Sequence, residues 1–184
     1  TKRVLTENGI ETVTFYSHER TGADMTKKIL TRLRFPAKTV ASVSHLIAEH
    51  MFHYESAWSD AAVRRFIVRT GTECIDDLFD LRLADIYGMK RESVRMHDSA
   101  VGKNLVELKK RIEAVQKENS ALSLKDLAVS GEDLADAGIL RGKEMGRVLK
   151  ELFDTVLDDP KENTKEKLLT IARNIYRKDE KDVK

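Results

Sequence analysis

The sequence has few of the residues that cross-link or interrupt a polypeptide: one cysteine, two prolines and nine glycines among 184 residues. The single Cys74 excludes an internal disulfide framework and fits a reducing compartment. No apolar run approaches the roughly 20 residues that a membrane-spanning helix needs, and no signal-peptide pattern is present. We therefore expect a cytoplasmic protein with no membrane partner. The chain opens on Thr1 instead of Met, so we also expect a fragment or a processed product.

The remaining composition is typical of a folded, helical protein. Hydrophobic residues make up 41% of the chain, which excludes a disordered tail, and charged residues make up 35%. Many charged residues combined with few helix breakers favour α-helices. The length suits one large domain or two small ones.

The formal net charge of +2 conceals long runs of one sign. Residues 20–38 contain six bases and one acid, residues 73–85 are mainly acidic, and residues 103–117 and 141–150 are basic again. Such segregation gives a nearly neutral protein positive and negative faces. A positive face suits a polyanion such as RNA. The alternative interpretation of each run is a solvated helix surface.

The segment before Tyr16 has the character of a β-hairpin. Two β-prone runs, Arg3–Thr6 and Ile10–Phe15, flank Asn8-Gly9, a dipeptide typical of two-residue hairpin turns. After Tyr16 the apolar spacing becomes helical, and we expect the following residues to face inward on a helix that Pro36 ends: Met25, Ile29, Leu30 and Leu33. The predicted fold is all-α, a multi-helix body and tail with a short N-terminal β-hairpin.

Local start and stop signals indicate the later helices. Ser59 is placed to cap a helix that Gly71 closes. The second helix of the chain, which precedes the one capped by Ser59, is expected to carry one apolar face: Val40, Val43, Leu46, Ile47, His50 and Met51. The fourth helix is expected to close at Gly88.

The second half of the chain is also predicted to be helical. Two capping boxes, Ser123–Asp126 and Ser130–Asp133, mark short helices, and a strongly amphipathic helix ends before Pro160. Asn163 is expected to start the last helix. A loose boundary near Tyr87 to Arg95 divides the chain into a body, residues 1–95, and a tail, residues 96–184.

The order of several short motifs resembles the HD-containing tRNA nucleotidyltransferases, the family of CCA-adding enzymes and poly(A) polymerases. In the body the resemblance lies in Phe15–Glu19, Gly22-Ala23, Ile29–Phe35, Leu46–Met51, Trp58–Phe66 and Leu83–Asp85. In the tail it lies in Asp126–Leu134, Gly138-Ile139, Gly142, Met145-Gly146, Leu149, Leu152, Pro160 and Asn163. Each piece is short, but together their order covers nearly the whole chain.

The resemblance implies a longer enzyme of which this chain is the C-terminal part. The family adds nucleotides with an N-terminal head, marked by a Gly-Gly or Gly-Ser turn and an Asp-x-Asp pair, and this sequence has neither. Mg²⁺ and ATP or CTP are implied for that head, and no cofactor for this chain. The His-Asp dyad that names the HD domain normally lies just before the point where this chain begins, so we expect it to be absent. His18, His50 and Asp85 occupy ligand-like positions for a divalent metal, an incomplete set.

The function that the resemblance implies is tRNA binding, with tRNA and the protein's own head as partners. We expect the RNA contacts to be the bases of the first helix and of the amphipathic tail helix: Lys27, Lys28, Arg32, Arg34, Lys143, Arg147 and Lys150. The last three follow a spacing of four and then three, which places them on one helix face. No aromatic residues interleave with these bases, which favours docking of a duplex over stacking of single-stranded bases.

Two other functions remain open. A metal-dependent phosphohydrolase acting on nucleotides would use the HD-type ligands. A non-catalytic helical interaction module would account for the charge segregation alone. Whether the longer enzyme adds C, A or the complete CCA depends on the head.

Overall fold

The computed structural model describes residues 2–7, 10–90, 100–118 and 121–182, and over these residues the protein is mainly helical. The described residues form eight α-helices, which confirms the helical class expected from composition. Their bounds are α1 (His18–Arg32), α2 (Ala37–Glu49), α3 (Asp60–Thr70), α4 (Ile75–Lys90), α5 (Ala100–Lys117), α6 (Gly131–Asp136), α7 (Lys143–Asp158) and α8 (Lys165–Asp182). Within these parts of the chain, no helix has the length and apolar character needed to cross a bilayer.

Two strands precede the helices. Strands β1 (Lys2–Glu7) and β2 (Ile10–Phe15) are antiparallel partners, with Val4 opposite Val13. The Asn8-Gly9 turn expected between them lies outside the described residues. The predicted hairpin therefore stays a prediction.

The chain divides into two compact units. Unit 1 comprises residues 1–55 and 70–106, and unit 2 comprises residues 56–69 and 107–184. The units do not follow the chain order of the expected body and tail, because most of α3 groups with the C-terminal helices. The division into residues 1–95 and 96–184 concerns function and stays a prediction.

In unit 1, α1 and α2 pack against each other through small residues. Gly22 lies so close to α2 that a Cβ atom built on it would be 3.3 Å from Ile47 Cγ2. Residues Ala23, Thr26 and Leu30 are half-buried on the same side of α1. Other apolar side chains form the buried core of unit 1: Val40, Phe52, Tyr54, Ile75, Leu78, Phe79, Ile86 and Leu105.

The predicted inward face of α1 is wrong for three of its four residues. Met25, Ile29 and Leu33 are 56%, 41% and 59% exposed, and only Leu30 is half-buried. The reason is that the small residues around Gly22 permit a closer helix approach than the larger apolar stripe does. Met51 is also exposed, because α2 ends at Glu49 and the helical face does not continue to it.

In unit 2 the helices enclose an apolar core built around α7. Its buried members are Ala121, Leu127, Val129, Leu134, Ile139, Val148, Leu152, Phe153, Val156, Leu157, Leu168 and Ala172. On α3, Arg64 is 5% exposed, and its Nε and Nη2 donate to the Leu157 and Asp158 carbonyl oxygens at 2.7 and 3.0 Å. The last carbonyls of a helix have no partner inside the helix, so Arg64 satisfies two at the end of α7.

The local start signals are largely confirmed. Ser59 Oγ accepts from the Ala62 amide at 3.2 Å, Gly71 has a φ of 82°, and both capping boxes are present. Two expectations are wrong. Helix α4 continues past Gly88 to Lys90. Asn163 does not cap α8: its side chain accepts from the Ala128 amide at 2.8 Å and donates to the Asp126 carbonyl at 2.9 Å, which ties residue 163 to a distant turn.

Candidate nucleic-acid interface

The end of α1 is shaped by a left-handed residue. Arg34 has a φ of 60°, its amide donates to the Thr31 carbonyl at 3.0 Å, and the Phe35 amide donates to the Leu30 carbonyl at 3.0 Å. This pair of bonds is the Schellman arrangement, which usually employs glycine at the left-handed position. The turn folds the chain back so that Phe35 lies beside the last turns of α1. Pro36 is then the N-cap residue of α2.

Beside this turn lies a groove on α1 that carries three of the predicted RNA-binding residues. We call it the α1 basic groove, and its volume is about 700 Å³. Its lining residues are Asp24, Lys27, Lys28, Thr31 and Arg32. All are exposed, and none forms an ion pair with a residue that the structure describes. The surface therefore presents three cations and one carboxylate to solvent.

A second groove adjoins the first and shares Lys27 and Thr31 with it. We call it the Phe35 groove; its volume is about 450 Å³. Its lining residues are Lys27, Thr31, Phe35, Ala37, Val40, Ala41 and Ser44. Phe35 is 47% exposed, and the Ser44 hydroxyl oxygen is buried without a hydrogen-bond partner. The groove thus combines an open aromatic face with apolar lining side chains.

This groove corrects the expectation that no aromatic residue accompanies the bases. Phe35 is next to Arg34 in sequence and lines the same groove as Lys27. Sequence spacing did not reveal it, because the Schellman turn, and not a helical repeat, returns Phe35 to α1. Pro36 is a sequence signal for a turn here, but position 34 holds Arg instead of the glycine usually found at the left-handed position.

The predicted tail residues lie on α7 in unit 2, and they differ from one another in charge pairing. Lys143 and Lys150 are exposed and form no ion pair with a described residue. Arg147 is held between two carboxylates of its own helix, at 3.1 Å from Glu144 and 2.7 Å from Glu151. A bracketed guanidinium contributes less positive field to a ligand than an unpaired one does.

Two of the three ligand-like residues meet in unit 1. The rings of His18 and His50 lie edge to face with centroids 5.3 Å apart. His18 Nδ1 donates to the Phe15 carbonyl at 2.9 Å, and His50 Nδ1 donates to the Ile47 carbonyl at 2.6 Å. A carbonyl oxygen only accepts, so each Nδ1 bears a proton. The third, Asp85, instead pairs with Arg82 at 3.2 Å.

The described residues leave the predicted metal-ligand set incomplete. Among them no group of three or more His, Cys, Asp or Glu side chains could hold a metal ion. The Asp85 carboxylate pairs with Arg82, and His18, His50 and Asp85 stay a prediction. No chemical step is therefore assigned to a metal here.

The expectation that the chain lacks an adjacent His-Asp pair needs correction. The sequence contains His97-Asp98. This pair follows the matching motifs of the body, whereas the family's dyad precedes them. Both residues lie outside the described residues, so the structure assigns them no role.

The single cysteine does not add a nucleophile to this region. Burial raises the pKa of the Cys74 thiol, and the neighbouring carboxylates of Glu73 and Asp77 raise it further. The thiolate is the reactive form of cysteine, so a raised pKa keeps Cys74 protonated and unreactive near neutral pH. The surface of α1 and of the turn after it instead combines exposed cations with the exposed Phe35 ring.

The chain is similar in sequence to known proteins. A family model described as tRNA nucleotidyltransferase domain 2 matches residues 7–172. The chain is 32% identical over 143 residues to the A-adding tRNA nucleotidyltransferase of Deinococcus radiodurans, which covers 76% of this chain and 31% of that protein. It is 31% identical over 140 residues to the CC-adding tRNA nucleotidyltransferase of Thermus thermophilus, which covers 76% of this chain and 29% of that protein.

The extent of these matches matters as much as their identity. The chain spans about a third of the length of the curated relatives that it matches. No solved structure matches it. The family model, however, accounts for most of the sequence. The chain therefore belongs to the tRNA nucleotidyltransferase family, in the part described as domain 2.

Proposed function

We propose that this chain is the tRNA-binding part of a tRNA nucleotidyltransferase that acts in CCA addition at the 3′ end of tRNA. Two relatives are named as A-adding and CC-adding tRNA nucleotidyltransferases, and each is about three times longer than its match to this chain. Nucleotide addition, with Mg²⁺ and ATP or CTP, belongs in this proposal to the head of the longer protein. The chain itself holds the tRNA for that head.

One observation carries the proposal: three exposed cations line one groove of α1 without an ion-pair partner among the described residues. Lys and Arg side chains bind RNA phosphates regardless of sequence, and structured RNA is recognised largely by its shape and backbone. A net charge of +2 gives little overall attraction, so binding must come from local groups of this kind.

The α1 basic groove is proposed as the stronger of the two predicted contacts. On α7, Lys143 and Lys150 remain available, but Arg147 is bracketed by Glu144 and Glu151. To bind a phosphate, Arg147 must exchange these carboxylates for it, and this exchange reduces the net gain. Arg34, exposed in the turn after α1, adds a fourth cation to the stronger surface.

The test compares two variants that each lose three positive charges. The α1 variant carries Lys27→Ala, Lys28→Ala and Arg32→Ala. The α7 variant carries Lys143→Ala, Arg147→Ala and Lys150→Ala. Filter binding with tRNA at several salt concentrations should give a dissociation constant on the order of micromolar for the wild type at low salt.

The α1 variant should lose the larger share of affinity and reduce the salt slope by about three, since each lost phosphate contact reduces it by about one. The α7 variant should lose less. Salt titrations of the α1 variant that coincide with those of the wild type would refute the assignment of the interface.

Arg34 permits a test that separates binding from stability. A non-glycine residue in the left-handed region costs about 1 kcal/mol. Arg34→Gly should therefore raise the free energy of unfolding by about this amount while it weakens tRNA binding. A variant that is more stable and binds less tightly cannot be explained by partial unfolding.

The phosphohydrolase interpretation is supported by the contact between the His18 and His50 rings. Imidazoles whose Nδ1 donates to a carbonyl present Nε2 as metal ligands do, and this favours keeping His18, His50 and Asp85 as predicted ligands to be tested. Elemental analysis after dialysis should find less than one transition-metal ion per chain. About one ion per chain, lost in His18→Ala, would favour the hydrolase.

Two finer expectations belong to the same proposal. The N-terminal β-hairpin is tested by amide hydrogen exchange, in which protected amides on both sides of residues 8–9 are expected. A cytoplasmic location is tested by fractionation of cells that express the longer protein.

A further inference from the structure

We propose that the Phe35 groove binds one unpaired nucleotide of RNA, with its base against the Phe35 ring and its phosphate in the adjoining α1 basic groove. The inference rests on the proposed function, because it names the form of RNA that this same surface takes. It departs from duplex docking, which the sequence favours.

The shape and lining of the groove fit a nucleobase. Its volume of about 450 Å³ lies within the range of small-ligand sites, about 300–1,000 Å³. Phe35 leaves 47% of its surface open, although it is one of the large apolar side chains that proteins usually bury. Stacking of a base on an aromatic ring is a common means of holding unpaired nucleotides. Val40 and Ala41 add apolar side chains to the lining of the groove.

The charge around the groove selects a nucleotide over an apolar peptide. Lys27 lines both grooves, and Thr31 joins them, so a base in one groove places its phosphate near the cations of the other. Lys28 and Arg32 lie in that second groove. An apolar partner would leave these cations beside its contact surface without a counter-charge.

The experiment uses two RNA probes with the same number of phosphates. One is a short single strand with one 2-aminopurine, whose fluorescence is quenched by stacking, and the other is a blunt-ended hairpin. Binding of each probe is measured for the wild type and for Phe35→Leu, which keeps an apolar contact in the turn but removes the ring. Phe35→Trp restores an aromatic face, and Leu33→Ala is the control, because Leu33 is 59% exposed and lines neither groove.

Phe35→Leu should weaken binding of the single strand about tenfold and abolish the quenching, while hairpin affinity stays within about twofold. Phe35→Trp and Leu33→Ala should behave as the wild type.

Two results would overturn the inference: Phe35→Leu binds the single strand as tightly as the wild type, or it loses affinity for both probes equally. The α1 triple alanine variant makes this failure distinguishable from failure of the proposed function. If that variant loses both probes while Phe35→Leu changes nothing, the RNA interface stands and the nucleotide site does not. If the triple variant binds both probes normally, the proposed function itself fails.

Discussion

Arg64 closes the carboxyl end of α7, and its replacement tests how unit 2 is held together. The side chain is 5% exposed and donates to the Leu157 and Asp158 carbonyls at 2.7 and 3.0 Å. No carboxylate pairs with it among the described residues. The positive charge also lies at the negative end of the α7 dipole, where a cation stabilises a helix.

The expected cost of Arg64→Ala follows from these contacts. A hydrogen bond that involves a charged group contributes about 1.5–3 kcal/mol, and two such bonds are lost. Removing the buried guanidinium recovers part of its desolvation cost, which reduces the sum. We expect a loss of about 3 kcal/mol in the free energy of unfolding. For a chain of this size, this loss lowers the melting temperature by about 6–12 °C.

The neighbouring arginine provides a matched control. Arg65 contacts the same aspartate through its side chain, at 2.8 Å from Asp158 Oδ1, but both side chains are largely exposed. An exposed ion pair contributes about 0–1 kcal/mol. Urea unfolding of Arg64→Ala and Arg65→Ala, with the same change of net charge, isolates the effect of the buried bonds. Arg64→Lys should fall between the two, since a single ammonium does not reproduce the two-nitrogen geometry.

A loss of stability in Arg64→Ala that is no larger than the loss in Arg65→Ala would contradict the role of the buried hydrogen bonds. In that case hydrogen bonds to water stabilise the carbonyl groups at the end of α7 as well as the bonds to Arg64 do. A large loss in Arg64→Ala with an equally large loss in Arg65→Ala would instead point to a general dependence on charge. Only the difference between the two variants supports the proposed role of the buried guanidinium.

Two further predictions concern the polar contacts of unit 2. Hydrogen bonds from Lys165 and from Ser130 lower the pKa of Asp133, so the stabilising effect of its carboxylate is present above about pH 4 and is lost as the pH falls further. The melting temperature of Asp133→Asn should therefore fall less steeply at acid pH than that of the wild type. The control is Asp154→Asn, at an exposed aspartate on α7, which should behave as the wild type. Asn163→Ala should cost about 1–2 kcal/mol in urea unfolding, because two hydrogen bonds to backbone groups are lost; an unchanged unfolding midpoint would contradict the role of Asn163 as a tie.

Helix starts could be predicted because their signals act over three or four residues. The box from Ser130 to Asp133 satisfies amides within its own turn, so sequence neighbours contain all the partners. Ser59 and Gly71 bound α3 for the same reason. Asn163 has an equally suitable sequence for a cap, yet its side chain binds backbone groups 35 and 37 residues away. Sequence neighbours alone do not distinguish these two uses of a polar side chain.

The buried side of α1 could not be predicted from hydrophobicity. Two stripes run along the helix at the same spacing, one of small residues around Gly22 and one of large residues from Met25 to Leu33. Hydrophobicity favours the large stripe, whereas the structure packs the small one, with Gly22 next to Ile47. Small residues let two helix backbones approach closely, and a hydrophobic pattern does not measure this gain. The contact of Arg64 with Leu157, 93 residues away, lies equally outside any local pattern.

The candidate RNA contacts show how far charge patterns can be taken. Arg147 has an acid three residues before it and another four residues after it, and the structure joins it to both. Those acids are visible in the sequence and would have marked Arg147 as a paired cation. Spacing alone does not predict which acids and bases form ion pairs. Asp24 lies four residues before Lys28, in the favourable order for a helix, yet no ion pair joins them. The difference is in number: one acid cannot neutralise the three cations of the α1 basic groove, whereas two acids surround a single cation on α7. Counting acids within reach of each base therefore ranks the α1 surface above the α7 surface as a site for phosphate, and the paired triple variants measure that ranking.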